Sequence, residues 1–152
     1  LIGSSPNLSD YEIIKKRVKE LGIEKKVLIK KELSYDNLKY VIPKFTLGLS
    51  PIPPHDFLLD STPTKVIDYL SLGIPVVANK EIKDQHKILL DSGGGLSVSY
   101  SKKEFSEAIL EIINNNASWK VKAKKAKSWL SEERNFSTLS KIVEQKYVEL
   151  LK

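Results

Sequence analysis

Two aspartates eight positions apart bracket the stretch with the most chemical content, Asp60-Ser61-Thr62-Pro63-Thr64-Lys65-Val66-Ile67-Asp68. Thr62 reads as a helix N-cap and Pro63 as the first helical residue, since proline needs no donor there and its φ is preset. The first turn then offers the amides of Thr64, Lys65 and their neighbours, which have no partner inside a helix, at the positive end of the helix dipole. Such a terminus suits an anion, phosphate best of all, and Lys65 adds a full charge at the same place. Asp68 falls on the face of Thr64 and Lys65 by the three- and four-residue spacing, whereas Val66, Ile67 and Leu70 turn towards the core. It lies about 7 Å along the axis from the helix start. That separation fits a ligand with phosphate at the helix tip and ribose hydroxyls at the carboxylate. Asp60, just before the cap, is placed to reach whatever is attached beyond the phosphates. The same Thr-Pro start also opens helices that bind nothing, so helix chemistry alone leaves both readings open.

The elements that must position this stretch follow from periodicity. Leu1-Ile2-Gly3 reads as the tail of a buried strand. Ser9-Asp10 caps a helix running to about Leu21, with Gly22 as its stop. Val27-Leu28-Ile29 reads as a strand, Ser34 as the cap of a helix over about 35–41, and Phe45–Leu49 as a further strand. A proline-rich loop over 51–62 leads to a helix from Pro63 to Leu72, with Gly73 as its stop, and then to the strand Ile74–Ala78. A short helix near 83–90, a Gly93-Gly94-Gly95 turn and the strand Leu96–Val98 come next. Three helices over about 102–114, 117–130 and 137–151 close the chain, the last with Leu139, Ile142, Val143, Tyr147, Leu150 and Leu151 on one stripe. Short apolar strands alternating with helices predict an α/β fold, a Rossmann-like parallel sheet with helices on both faces.

The chain has 152 residues, enough for one domain with a real core, and no internal repeat marks a second. No run approaches the ~18–20 apolar residues of a membrane span. No signal-peptide pattern opens the sequence, and the absence of Met leads us to expect that the numbering begins inside a longer product. With no Cys there is no disulfide, thiolate metal site or cysteine nucleophile, which suits a cytoplasmic protein. A net charge of +6 favours anionic partners.

The block Pro63-x-Lys65-x-x-Asp68-Tyr69-Leu70-x-x-Gly73-x-Pro75-Val76-Val77-Ala78 resembles the signature of the group 1 glycosyltransferases, a retaining family with the two-domain GT-B fold. Asp60 and Asp68 match that family's acid-x7-acid spacing. Weaker matches run in order along nearly the whole chain: Gly3, Leu21-Gly22-Ile23 with Val27 and Leu38, Leu49-Ser50-Pro51, Gly94-Gly95-Leu96 and Phe136-Ser137. The resemblance implies a C-terminal donor-nucleotide-binding domain over 1–152, lacking its first strand-helix unit with the phosphate-clamping Arg and Lys, and lacking the N-terminal acceptor domain. It implies that Asp60 contacts the donor sugar, that Ser61, Thr62, Pro63, Thr64 and Lys65 cradle the diphosphate, and that Asp68 binds the ribose. The base would lie near Lys30 to Leu33, through Lys31, Glu32 and Leu33. The implied reaction moves a sugar from a nucleoside-diphosphate sugar to an acceptor hydroxyl (glycan, lipid or small molecule) with retention, using no metal and no cofactor. This sequence departs from the family at its acids, Asp where Glu is usual, and in Ser61-Thr62-Pro63, where Gly-Phe-Gly is common.

Other features carry less. His55, His86 and the glycine triplet read as ordinary loop, helix and turn residues. Trp119 and Trp129 read as packing. Lys120, Lys122, Lys124, Lys125 and Lys127 read as a solvated helix face, with peripheral attraction to an acidic membrane at the cytoplasmic side as the minor alternative. The rival readings are a non-catalytic nucleotide- or sugar-phosphate-binding module and a GT-B-shaped epimerase. A nucleic-acid module lacks any motif, so no nucleic-acid partner is expected.

Overall fold

The computed structural model describes residues 7, 9–30 and 33–151. Two compact units divide the chain, residues 1–40 and 41–152. In the first unit, α1 spans Ser9–Glu20, opened by Asn7 Oδ1, which accepts from the Ser9 amide at 3.1 Å. Gly22 then takes a positive φ of 63°. A 3₁₀ turn follows at Glu24–Lys26, and α2 covers Tyr35–Val41 at the unit's end. The expected strand at 27–29 does not form: these residues lie outside any strand, Leu28 is 65% exposed, and Lys30 makes an isolated bridge. An apolar triplet becomes a strand only where a neighbour pairs with it over several residues, and periodicity cannot supply that neighbour. The strand tail expected at Leu1–Gly3 lies outside the described residues.

The second unit is built on three strands, β1 (Gly48–Ser50), β2 (Val76–Asn79) and β3 (Gly95–Val98), parallel and in that order. Leu49 pairs with Val77, and Val77 with Leu96. β2, the central strand of the three, is buried at every position, which is why 74–78 reads as unbroken apolar sequence rather than an alternation. Its two faces feed two cores. Val76 and Ala78 pack with Val66 and Leu70 of α3 (Thr64–Ser71), Ile88 and Leu89 of α4 (Lys83–Ser92), and Ala126 and Leu130 of α6 (Asn116–Glu133). Val77 packs the other way, on Ala108 and Ile112 of α5 (Lys102–Asn114) and on Trp119. Helices therefore cover both faces, and the fold is the α/β Rossmann-like arrangement expected.

Strand ends shift from the sequence reading. Phe45 is occupied in closing the 3₁₀ turn Ile42–Lys44, its amide donating to Ile42 O, so ladder pairing begins only at Gly48. Gly73 sits at φ +74° after α3, where a side chain would be strained. Gly95 is not part of a turn but the first residue of β3, pressed so closely on the Val76 carbonyl that a Cβ would not fit. The last helix, α7 (Phe136–Leu150), forms as expected but buries none of its residues; Ile142, Val143, Tyr147 and Leu150 are 49–81% exposed. Among the described residues, no helix is long and apolar enough to cross a membrane.

Candidate donor site

Because β1 and β2 run parallel, the helix joining them must run back, so α3 begins at the carboxyl edge of the sheet, where ligands of open α/β sheets bind. The helix starts one residue later than its sequence suggests. Pro63 has a helical φ of −71° but an extended ψ of 113°, which makes it the N-cap rather than the first helical residue; no side chain caps the turn, and Thr62 is exposed. Thr64 and Lys65 now supply the open amides of the first turn, and Val66, the third residue, is fully buried. Thr64 and Lys65 are exposed, and Lys65 makes no ion pair among the described residues.

Four residues further on, Asp68 lies about 6 Å along the axis from Thr64. Its neighbours Val66 and Leu70 are fully buried, while Asp68 itself stays partly open. Burial pushes its carboxyl above the ordinary carboxylate value, and that buried charge in turn adds to the upward push that burial gives the Tyr69 phenol. No hydrogen bond or ion pair reaches the Asp68 carboxylate from the described residues. Only its backbone carbonyl is occupied, by the Ser71 hydroxyl at 2.8 Å. Among the described residues, Asp68 is thus a partly desolvated carboxylate without a donor, one turn from a helix start.

Asp60 and Ser61 are arranged differently from the expectation. The loop folds into a 3₁₀ turn at Asp56–Leu58, and Leu58 O accepts both the Ser61 amide (3.0 Å) and the Ser61 hydroxyl (2.7 Å). Ser61 therefore has no free donor to add to a phosphate cradle: its groups close the turn. Asp60 is exposed and pairs with Lys83 Nζ at 2.8 Å, while the Lys83 amide donates to Leu59 O at 2.9 Å. Lys83 opens α4, so the start of the second return helix meets the loop that precedes the first.

Sequence reasoning missed a buried polar group at this same edge. Ser50, Asn79 and Gln85 are fully buried. Asn79 Oδ1 accepts the Ile52 amide at 2.8 Å and Gln85 Nε2 at 3.2 Å. Gln85 Nε2 also donates to Asn79 O (2.7 Å), and Gln85 Oε1 accepts the Ser50 hydroxyl (3.0 Å). Asn79 Nδ2 donates to Glu81 Oε2 (3.0 Å), whose Oε1 accepts the Tyr100 amide (3.0 Å). Burial raises the Glu81 pKa, but the Tyr100 amide, the Asn79 side chain, its own backbone amide and Lys80 outweigh it and hold the carboxyl below its usual value. The signal available in the sequence was polar residues closing two buried strands.

Of the remaining candidates, Leu33 is partly buried in the first unit, and Lys31 and Glu32 lie outside the described residues. His55 stacks on Phe57, ring centroids 5.7 Å apart, and His86 Nδ1 lies 2.8 Å from Ser97 Oγ. Trp119 is buried with Lys122 Nζ 3.9 Å from its ring centroid, and Trp129 packs against the first core.

The fold is an α/β Rossmann-like domain, three parallel strands covered by helices on both faces. A solved structure of sucrose-phosphate synthase from Thermosynechococcus elongatus matches 99% of this chain with a TM-score of 0.81, at 17% sequence identity. The match covers 38% of that protein, so the chain spans little more than a third of its length. No protein-family model matches the chain, and no curated protein sequence does.

Proposed function

We propose that this chain is the donor-binding half of a retaining, nucleotide-sugar-dependent glycosyltransferase. The observation that carries the reading is the partly desolvated Asp68 carboxylate, without a partner among the described residues, about 6 Å along α3 from Thr64 at the uncapped helix start. The helix-start amides, the helix dipole and Lys65 receive a diphosphate, and Asp68 accepts from the ribose hydroxyls. Asp60, held by Lys83, stands on the side of the attached sugar. As the bond from the anomeric carbon to the diphosphate oxygen breaks, negative charge grows on the diphosphate. Fixed amides and the Lys65 cation at a helix start stabilise that charge without reorganising, and the acceptor oxygen forms the new bond on the same face as its proton passes to the departing diphosphate oxygen. The rest of the phosphate clamp belongs to a further strand-helix unit of this same domain and the acceptor site to a second domain of the working enzyme, in glycan, polysaccharide or glycolipid synthesis at the cytoplasmic side.

Calorimetric titration of the chain with uridine, guanosine and adenosine diphosphates, and with their sugar conjugates, tests the reading. Binding of one nucleotide series is expected, with no glycoside product from the chain alone. Silence towards every nucleotide would sink the proposal. Binding without transfer even when the acceptor domain is supplied would favour a non-catalytic binding module.

A further inference from the structure

Burying an amide is tolerable only when its hydrogen bonds are made, and an apolar side chain of the same volume would fill the space without that demand. Ser50, Asn79 and Gln85 therefore need a reason to be polar as well as buried. Their bonds converge on one segment. Both Gln85 Nε2 hydrogens are used on Asn79, and the Asn79 Oδ1 so oriented accepts the Ile52 amide, two residues past the end of β1. At the far end of the same segment the Lys83 amide, two residues before Gln85 on α4, holds Leu59 O, and the Lys83 side chain holds Asp60. Loop 51–62 is thus pinned at its entry and its exit by a single structure, the β2 end with the first turn of α4. Between the pins Pro53 to Phe57 are exposed, and the bonds they make are local to the loop itself.

We infer that Asn79 and Gln85 are positioning residues of the donor site, holding loop 51–62 so that Asp60 meets the sugar end of the donor. The inference rests on the proposed function. A satisfied buried network is stiff, since each member is oriented by the next, and it transmits the β2 backbone position to the loop. The helix-start amides of Thr64 and Lys65 are anchored separately, through Val66 and Leu70 in the first core. The network should therefore govern recognition of the sugar and leave the bare nucleotide alone.

Gln85→Met in the 152-residue chain keeps length and volume but removes both donors and the acceptor. Hydrogen exchange followed residue by residue should show the Ile52 amide opening about tenfold faster or more, with Val77 and Ala78 still protected. Calorimetry should show the nucleotide sugar losing about tenfold in affinity and the bare nucleoside diphosphate changing by less than about twofold. Ser50→Ala, which deletes only the hydroxyl bond to Gln85, should give a weaker copy of the same pattern and decides the matter if Gln85→Met does not fold. Equal losses for both ligands, or opening of β2 along with the loop, would mean a purely structural role and overturn the inference. Unchanged exchange at Ile52 would overturn it as well. A wild-type chain that binds neither ligand overturns the proposed function first, and the positioning role with it; wild-type binding without the split overturns the positioning role alone.

Discussion

Asp68→Asn replaces a carboxylate by an isosteric amide, removing one charge and turning one acceptor into a donor. In the free protein the carboxylate is partly buried and has no partner among the described residues, and burial has raised its pKa. For an acid whose folded pKa lies above its unfolded value, the folded state holds the proton more tightly, so stability falls as pH rises from about 3.9 through the raised folded value. At neutral pH the ionised Asp68 is therefore a burden on the free fold, and the Asn variant should melt at the same temperature or higher. Ligand binding should move the other way. A carboxylate accepting two hydroxyls is a charge-assisted contact worth roughly 1.5–3 kcal/mol. Losing it weakens nucleoside diphosphate binding by about tenfold or more, at ~1.4 kcal/mol per decade. Thermal denaturation without ligand and calorimetric titration with it, on the same preparations, read the two effects side by side. Opposite signs are the mark of a carboxylate kept for a ligand. A variant that is destabilised when free, or that binds as well as the parent, would refute the reasoning.

Asp60→Asn should weaken binding of the nucleotide sugar while leaving the bare diphosphate within about twofold, because its exposed pair with Lys83 contributes little to stability; equal losses in calorimetry would mean the acid pair is misassigned. Leu70→Ala, at a fully buried position between α3 and β2, should cost about 2–5 kcal/mol in chemical denaturation. A much smaller loss would mean that the first core does not anchor α3. Glu81 has a depressed pKa, so its hydrogen bonds stabilise the fold fully above about pH 4.3 and are lost as pH falls through the folded value. Glu81→Gln should accordingly flatten the stability profile below about pH 4.3, and a profile parallel to the parent's would contradict the bonds to Tyr100 and Asn79.

Local chemistry determined a great deal of this protein. Gly22 and Gly73 stop their helices because a positive φ is needed there, and that need is visible in the residue type alone. The unbroken apolar run at 74–78 announced a strand covered on both faces, since no face of it was left for water. The spacing of Thr64, Lys65 and Asp68 placed them on the open side of α3 because three- and four-residue neighbours align on any helix. Where sequence reading failed, the deciding partner was remote or the decision lay in one dihedral. The ψ of Pro63 moved the start of α3 past Thr62, although its φ was preset. Strand 27–29 was expected from composition but needed a ladder, which composition cannot guarantee. Gln85 meets Ser50 across 35 positions, and Asn79 meets Ile52 across 27. Asp60 and Lys83 likewise come together only because two return helices begin at one edge of a parallel sheet. Propensity and periodicity act within a turn or two of chain, so they set which segments become helix or strand and which face turns inward. Which loop each buried polar side chain holds is settled only when the sheet brings its strand ends together.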